Sequence, residues 1–431
     1  MSQSIIILGA GFGGLAAAKK LRKGIRSGAC TVTLIDRESY HVFTPLLYEI
    51  STAITRTQSI SISQNLARAG SMRVDDIVRP WGVDFVQADV RGIDWETKQV
   101  LCNNRALRFD QLVIALGSET NFFGIDGMAD CAYTLKSLRD AERIRQRLED
   151  LIAIHKKTGH AIHIMIGGAV ATGVELAAEM AMFFRRKMIS GDVRSEDFSL
   201  SLVEAQSRLL PMFHPQFSAW AHEQLTALGV TVHLDTCIKH LSRREVTLAP
   251  RPLKQDETRD MLVCDFRALS EKHFESDMTI WTGGVRGSSS LERLGLPLDP
   301  RGKRIIIDAW CRVADHNDVY VIGDSALFIN PKTQQPIPWL AQTAIEQGKL
   351  VAKNLLSLGQ RFSISPCLHY STIVPLGGKF VAVDLGWFRF RGFLAWLVRG
   401  LVDFSYFFGI RPCIKATRMW LKGIRLYSRN D

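Results

Sequence analysis

Three glycines, Gly9, Gly11 and Gly14, stand in the spacing G-x-G-x-x-G, and an acid, Asp36, follows 27 residues after the first. That combination suits the capture of a dinucleotide. The first glycine permits a tight turn, the second lets backbone approach a pyrophosphate, and the third lets a helix pack on a strand. The acid is placed to hold a ribose hydroxyl pair. A second glycine run, Gly167-Gly168-Ala169-Val170-Ala171-Thr172-Gly173, is followed by Glu204, and further on come Gly283-Gly284 and Gly323-Asp324. Two nucleotide-binding constellations in one chain imply two nucleotides, one bound and one diffusible.

The elements that must position these residues are legible around them. Residues 4–18 are a short β-branched run, a glycine turn and an Ala-rich helix start; Cys30–Asp36 is the next strand. Residues 81–113 read as a small β meander, with short strands at 83–86, 100–102 and 107–109. Residues 111–118 form a buried strand ending in a glycine turn. The second unit has a strand at 161–166, a helix from Gly173 and a strand at 199–204. Strands at 279–281 and 319–324 deliver Gly283-Gly284 and Asp324. The fold class is α/β, two Rossmann-like dinucleotide-binding domains with the second inserted in the first. The expected boundaries are 1–118 with 295–378, then 119–294, then a C-terminal segment at 379–431. The Pro- and charge-rich stretch 250–277 reads as a surface loop or meander.

Composition narrows the class. At 431 residues, with 46% hydrophobic and 23% charged residues, the chain fits two or three globular domains. The closest of the eight cysteines are 27 residues apart, so no CxxC spacing exists. The expectation is a reducing, cytoplasmic-type compartment with no disulfide framework, no leader and no clustered metal site. The 11 histidines form no HExxH and are expected mostly at the surface or at helix caps. No run of 18 uncharged apolar residues occurs, so no transmembrane helix is expected.

Net charge is +11, and residues 379–431 carry +7 of it, from ten basic and three acidic residues, alongside twelve aromatics. Arg411, Lys415, Arg418, Lys422, Arg425 and Arg429 recur at helical spacing on one stripe, while Ile414, Trp420, Leu421 and Ile424 lie away from it. An earlier helix, 393–408, is more apolar, with Arg399, Asp403 and Tyr406 on its polar side. Such a segment suits the plane of a membrane interface, each basic residue adding about 1 kcal/mol near an anionic surface. The plainer alternatives are a dimerisation helix pair or a basic helix packed against the parent domain. No nucleic-acid partner is expected, since no recognised binding motif accompanies the patch.

Taken together, LGAGFGGL at 8–15, YHVFTPLLYEISTA at 40–53, LVIALGS at 112–118, TGVELAAE at 172–179, LVEAQSRLLP at 202–211, VYVIGDSA at 319–326 and AQTAIEQG at 341–348 resemble the type II NADH dehydrogenases, the non-pumping NADH:quinone oxidoreductases. The resemblance implies FAD along Gly9, Gly11, Phe12, Gly13 and Gly14, with Asp36 and Arg37 at its adenosine ribose. Val90, Ala115, Gly117, Gly323 and Asp324 complete that cofactor site, and Thr44, Pro45, Ala341 and Gln342 approach the flavin ring. It places NADH on Gly168, Gly173, Gly283 and Gly284, with Glu204 on its ribose and Glu175 near the nicotinamide. A carboxylate at Glu204 repels a 2′-phosphate and so favours NADH over NADPH. The plain reading of Glu175 is a helix-terminal acid stabilised by the macrodipole.

Two departures stand out. Counting back from Gly173, Val170 replaces the glycine that meets pyrophosphate; counting forward from Gly167, Ala169 replaces it with one residue inserted. In the quinone motif Gln342 is present, but the second glutamine is Glu346, with Gln347 beside it. The implied reaction passes hydride from NADH to flavin and electrons on to a membrane quinone, with Gln342 and Glu346 on one helix face and Glu346 and Lys379 as candidate proton donors. The implied setting is the cytoplasmic face of the cell membrane, as a peripheral homodimer. One alternative is a sulfide:quinone oxidoreductase, which needs a flanking cysteine pair, here conceivable only as Cys131 and Cys367. Another is a flavin-bound membrane protein without NADH activity.

Overall fold

The computed structural model describes residues 2–53, 70–103, 105–251, 270–357, 361–365, 371–411 and 413–427. Most of the stretch 250–277, Cys264, Cys367, Arg429 and the Arg425 side chain lie outside the described residues. The chain divides into two compact units, one of Met1–Val42, Ser71–Glu119 and Val285–Tyr370, the other of Phe43–Gly70, Thr120–Gly284 and Ser371–Asp431.

In the first unit, parallel strands buried on both faces demand continuous apolar runs rather than alternation. Gln3–Leu8, Cys30–Asp36, Gln111–Ile114 and His316–Val321 supply them, and Ile7, Leu8, Leu34, Ile35 and Leu112 are fully buried. The six strands run in the order Arg312–Val313, His316–Val321, Gln111–Ile114, Gln3–Leu8, Cys30–Asp36, Asp84–Gln87. The pairings are parallel except at the short antiparallel edge Arg312–Val313. The helix Phe12–Arg26 starts at Gly11, and the helix Ala341–Leu356 packs on it where Gly348 meets Gly13; a Cβ on Gly348 would stand 2.3 Å from the Gly13 carbonyl oxygen.

One expectation is corrected here. Asp84–Gln87 is no part of a meander; it pairs in parallel with Thr33–Asp36 as the edge of the main sheet. The meander begins later and is built of Val90–Asp94, Gln99–Cys102 and Arg105–Arg108.

The second unit repeats the parallel plan. Its five strands run Tyr133–Thr134, Met278–Trp281, Ile162–Gly167, Phe198–Val203, Thr231–His233. The helix Ala171–Ile189 is buried nearly all round, so its sequence is apolar apart from a few acids and its basic end. The helix Leu138–Thr158 opens on a capping box, Ser137 accepting from the Asp140 amide and Asp140 from the Ser137 amide, and ends at Gly159 with φ +73°. Cys237 is disulfide-bonded, a bond that the expectation of no disulfide framework did not foresee.

The C-terminal part of this unit opens with an antiparallel sheet, Thr372–Pro375, Val381–Asp384 and Arg389–Gly392. Two helices follow, Phe393–Ile410 and Cys413–Tyr427, tied by the Trp420 indole donating to the Gly400 carbonyl at 2.7 Å. In the first, Ala395, Arg399, Asp403 and Phe407 are buried at four-residue spacing, while Phe393, Leu394, Leu397, Leu401, Val402 and Phe408 are exposed. The polarity is therefore inverted: Arg399 and Asp403 face the protein and the apolar face looks outward. By length and mean hydropathy (1.4) alone this 18-residue helix could cross a membrane, yet it carries the charges Arg399 and Asp403 on its buried side and so is no uncharged apolar span.

Ser137→Ala removes the cap of a 21-residue helix and is expected to cost about 1 kcal/mol. A thermal melt of the variant checks this; an unchanged midpoint would show that the cap does not hold the helix.

Candidate functional site

In the first unit the predicted residues gather at the carboxyl ends of the parallel strands, where open α/β sheets bind ligands. Gly9 adopts φ +104°, and a Cβ on it would stand 2.2 Å from the Ala115 carbonyl oxygen. A Cβ on Gly14 would stand 1.9 Å from the Gly9 oxygen, so the helix closes onto the turn only because both are glycine. Gly11 differs: among the described residues nothing lies within 4 Å of where its Cβ would be. The Ala10 amide donates to Asp36 Oδ2 at 2.6 Å and the Glu38 amide to Oδ1 at 2.8 Å. Burial nevertheless raises the Asp36 carboxyl, the backbone bonds opposing it. Arg37 is exposed beside Glu38, and Val90 is buried at the start of its strand.

At the other end of this row, Ser118 Oγ donates to Asp324 Oδ2 at 2.6 Å. Gly117 and Gly323 take φ of +72° and +66°. The Gly323 amide donates to Gln347 Oε1 at 2.7 Å. Gln342 is exposed in the first turn of its helix, Ala341 and Glu346 are half-buried, and Glu346 accepts from Lys349 at 2.8 Å. Gln347 is thus the buried member of the motif, reaching the glycine turn that carries Asp324.

FAD fits this set. The N-terminal turn of Phe12–Arg26 has neither a capping side chain nor an acid, leaving amide donors and the helix dipole for a pyrophosphate. Thr343 Oγ1 and Trp339 Nε1, flanking Ala341 in sequence, are buried with no hydrogen-bond partner among the described residues, which a polar cofactor edge would satisfy. Sequence reasoning missed His41, which is 2% exposed. Its Nδ1 lies 2.9 Å from the Ala10 oxygen, and burial lowers its pKa to about 4, so the neutral ring donates there and steadies the loop. Its edge-on contact with Phe12, 5.3 Å between centroids, serves the same end.

The second unit repeats the loop. Gly168 has φ +93°, and its Cβ would stand 2.1 Å from Gly283 Cα; the Gly173 Cβ would stand 1.9 Å from the Gly168 oxygen. The Ala169 amide donates to Glu204 Oε2 at 2.6 Å, the counterpart of Ala10 on Asp36. Burial raises the Glu204 carboxyl, and bonds from the Gln206, Ala169 and Ala205 amides oppose it. The register of the departure follows: Gly168, Ala169 and Val170 take the places of Gly9, Ala10 and Gly11, with no residue inserted. Val170 (φ −71°, ψ 177°) even shares the backbone of Gly11 (φ −74°, ψ −170°), so the valine brings a side chain without strain. A Gly284 Cβ would meet the Phe123 ring at 2.3 Å.

Elsewhere in this unit, Thr44 and Pro45 are exposed on the turn Thr44–Leu46. Glu175 is half-buried on Ala171–Ile189, and desolvation raises its pKa to about 7, Arg399 lowering it and Glu179 raising it. Glu179, one turn on, accepts from the Gly378 amide at 3.1 Å; the exposed Lys379 is the next residue.

A chain that builds the dinucleotide turn twice, each time with its acid fastened to the loop, is a pyridine-nucleotide-linked oxidoreductase in architecture. The model for pyridine nucleotide-disulphide oxidoreductases matches residues 3–348, and the chain belongs to that family. It is 29% identical over 390 residues to a type II NADH:quinone oxidoreductase of Staphylococcus epidermidis, covering 88% of each. Its fold is similar to that of NDH2 of Plasmodium falciparum in complex with NADH (TM-score 0.81, 19% identity, 100% of this chain and 99% of that one). It is also similar to the sulfide:quinone oxidoreductase of Aquifex aeolicus (TM-score 0.74, 15% identity, 94% and 91%).

The two glycines separate packing from ligand approach. Gly14→Ala is expected to destabilise the fold and abolish FAD retention. Gly11→Ala is expected to preserve the circular dichroism spectrum yet release FAD on dialysis. Equal flavin content in Gly11→Ala and wild type would refute the assignment of that space.

Proposed function

We propose that this chain is an FAD-dependent NADH:quinone oxidoreductase of the non-pumping type, working peripherally at the cytoplasmic face of the cell membrane. The observation that carries the reading is the doubled loop, with Ala10 on Asp36 and Ala169 on Glu204. The Staphylococcus relative of that name supports it. FAD, when bound, supplies two-electron chemistry that accepts hydride and delivers electrons to the quinone.

The chain's own residues do the rest. Gly9 to Gly14 and Asp36 hold FAD at its pyrophosphate and adenosine ribose, and Ser118 orients Asp324 toward its other end. Gly168 to Gly173, Glu204 and Gly283-Gly284 hold NADH, Glu204 excluding a 2′-phosphate. Ala341, Gln342, Thr44 and Pro45 contact the flavin ring, and Gln342 orients the quinone head group. Beyond its expected place near the nicotinamide, Glu175 holds a proton at its carboxyl below about pH 7, and we assign it the further role of giving that proton to the quinone oxygen. Glu346 and Lys379 are further proton carriers at the margin.

The exposed strip of Phe393–Ile410, with Lys415, Arg418 and Lys422 exposed on the next helix, docks on an anionic lipid surface. We place the functional domains at 1–118 with 295–378 for FAD, 119–294 for NADH and 379–431 for the membrane, in a homodimer.

The test is anaerobic. The purified yellow protein should lose its flavin absorbance on adding NADH and regain it on adding a soluble quinone. A protein indifferent to excess NADH would sink the reading, and bleaching by sulfide instead would favour the sulfide:quinone alternative.

Two variants refine the test. A raised carboxyl pKa means the acid form is lost as pH rises, so the quinone-dependent rate should fall through about pH 7, and Glu175→Gln should remove that limb and slow the step by about 10²-fold. Val170→Gly, restoring the open approach seen at Gly11, should lower KM for NADH with FAD content unchanged; an unchanged KM would mean the valine does not meet the dinucleotide.

A further inference from the structure

The loop that follows Glu204 carries a cation that the reaction as described does not use. The Gln206 amide donates to Glu204 Oε1 at 2.9 Å, as the Glu38 amide does to Asp36 in the first unit. The Gln206 side chain reaches a second group: its Oε1 accepts from Arg251 Nη1 at 3.1 Å. One glutamine therefore joins the ribose acid to a guanidinium.

The backbone keeps Arg251 in that place independently of its side chain. The strands Thr236–Leu241 and Glu245–Pro250 are antiparallel with Thr236 opposite Pro250, so the chain after Pro250 returns to the turn at Asp235. There the Arg251 amide donates to the Asp235 carbonyl at 2.7 Å and the Asp235 amide to the Gln206 carbonyl at 3.1 Å. The Thr236 amide donates to the Glu204 carbonyl at 3.0 Å, so the whole turn is laced to the segment that carries the acid.

A neighbouring arginine shows what a bracing role demands. Arg208 Nη1 donates to the Leu210 and Phe213 carbonyls and the Ser218 hydroxyl, and Nη2 to the Pro211 carbonyl, so its fork is spent on the loop. The Arg251 guanidinium is half-buried and, among the described residues, gives one hydrogen bond. The rest of its planar fork, a shape that matches phosphate oxygens, is uncommitted. Burial raises the Glu204 carboxyl; the Gln206, Ala169 and Ala205 amides oppose that, and so does the Arg251 charge. A ribose held on Glu204 would press a 2′-phosphate directly against the carboxylate, whereas Arg251 stands one side chain further out. The nearer charge wins, because the attraction falls with distance.

We propose that Arg251, held by Gln206, is a latent 2′-phosphate ligand of the NADH loop: Glu204 outweighs it in the wild-type chain, and with the Glu204 charge removed it binds the phosphate of NADPH. This rests on the reading of that loop as the NADH site. Coenzyme choice then hangs on one carboxylate rather than on the shape of the pocket, with Gln206 the positioning residue for both charges.

The test uses full-length, oxidised, FAD-loaded protein titrated calorimetrically with NAD+ and NADP+, which bind without turnover. The quantity read is the ratio of NADP+ to NAD+ affinity, in which a general loosening of the loop cancels. Glu204→Gln should raise that ratio about 10-fold or more. Adding Arg251→Ala should take about 10-fold away again, and Arg251→Lys, which keeps the charge but loses the fork, should take away less. Gln206→Ala in the same background, which frees the guanidinium from its anchor, should also lower the ratio. Glutamine cannot accept from both the Ala169 and Gln206 amides, so Glu204→Ser, with room for a water, repeats the comparison if Glu204→Gln does not fold.

An Arg251 that only braces the loop would weaken both nucleotides alike. A ratio that Arg251→Ala leaves unchanged in the Glu204→Gln background would therefore overturn the proposal, as would a Glu204→Gln ratio equal to that of wild type. Failure of the parent reading looks different: neither nucleotide binds any of these proteins and NADH leaves the flavin yellow, and the latent ligand falls with it.

Discussion

The pair between Glu49 and Arg399 is the constraint on which the C-terminal architecture turns. Two charges withdrawn from water are tolerable only when they meet each other with good geometry, and leaving either alone is strongly destabilising. Because Arg399 must reach Glu49, and Asp403 must reach Arg399, the helix Phe393–Ile410 has one permitted rotation about its axis. Every residue on its far side is then outward by geometry, whatever its hydrophobicity. Phe43, stacked on Tyr406 at 5.0 Å and tilted against Phe407 at 4.9 Å, reinforces the same orientation through packing. The polar contacts select the rotation, and the aromatic contacts supply much of its stability.

The two nucleotide loops show how one backbone solution is tuned by single side chains. In both, an alanine amide is held by an acid from the end of the next strand, and glycines with positive φ let helix, turn and neighbouring strand meet. Carbonyl oxygens about 2 Å from where a Cβ would stand leave no alternative at Gly9, Gly14 and Gly173. The middle position is under no such pressure, and there the loops diverge, Gly11 against Val170. Backbone packing fixes the outer glycines, whereas only the ligand judges the middle one.

This divides what was legible in the sequence from what was not. The strand Cys30–Asp36 and the glycine turns were readable because apolar runs, turn residues and the terminal acid lie within one short window. The place of Asp84–Gln87 was not, because its alternation is the same in a meander and at a sheet edge, and its partner strand ends about fifty residues earlier. The motif at 341–348 pointed to Glu346 by helical spacing, yet the buried group is Gln347, since packing on Phe12–Arg26 sets the rotation of that helix. The stripe Arg399–Asp403 was visible, but periodicity cannot say whether a polar stripe meets water or a buried glutamate. Glu49 and His41 were read past for the same reason: their chemistry is set by burial, and burial is tertiary.

On the proposed docking, the inverted helix would behave like a hull with a fixed waterline. Its inner side is riveted to the body through Arg399 and Asp403, so lipid would rise only over the outer half of a cylinder about 10 Å across. Immersion would then stop at about 5 Å, the depth of the headgroup boundary. The draught of the docked protein would thus be written into its ion pairs, and deeper or shallower seating would need those charges to let go.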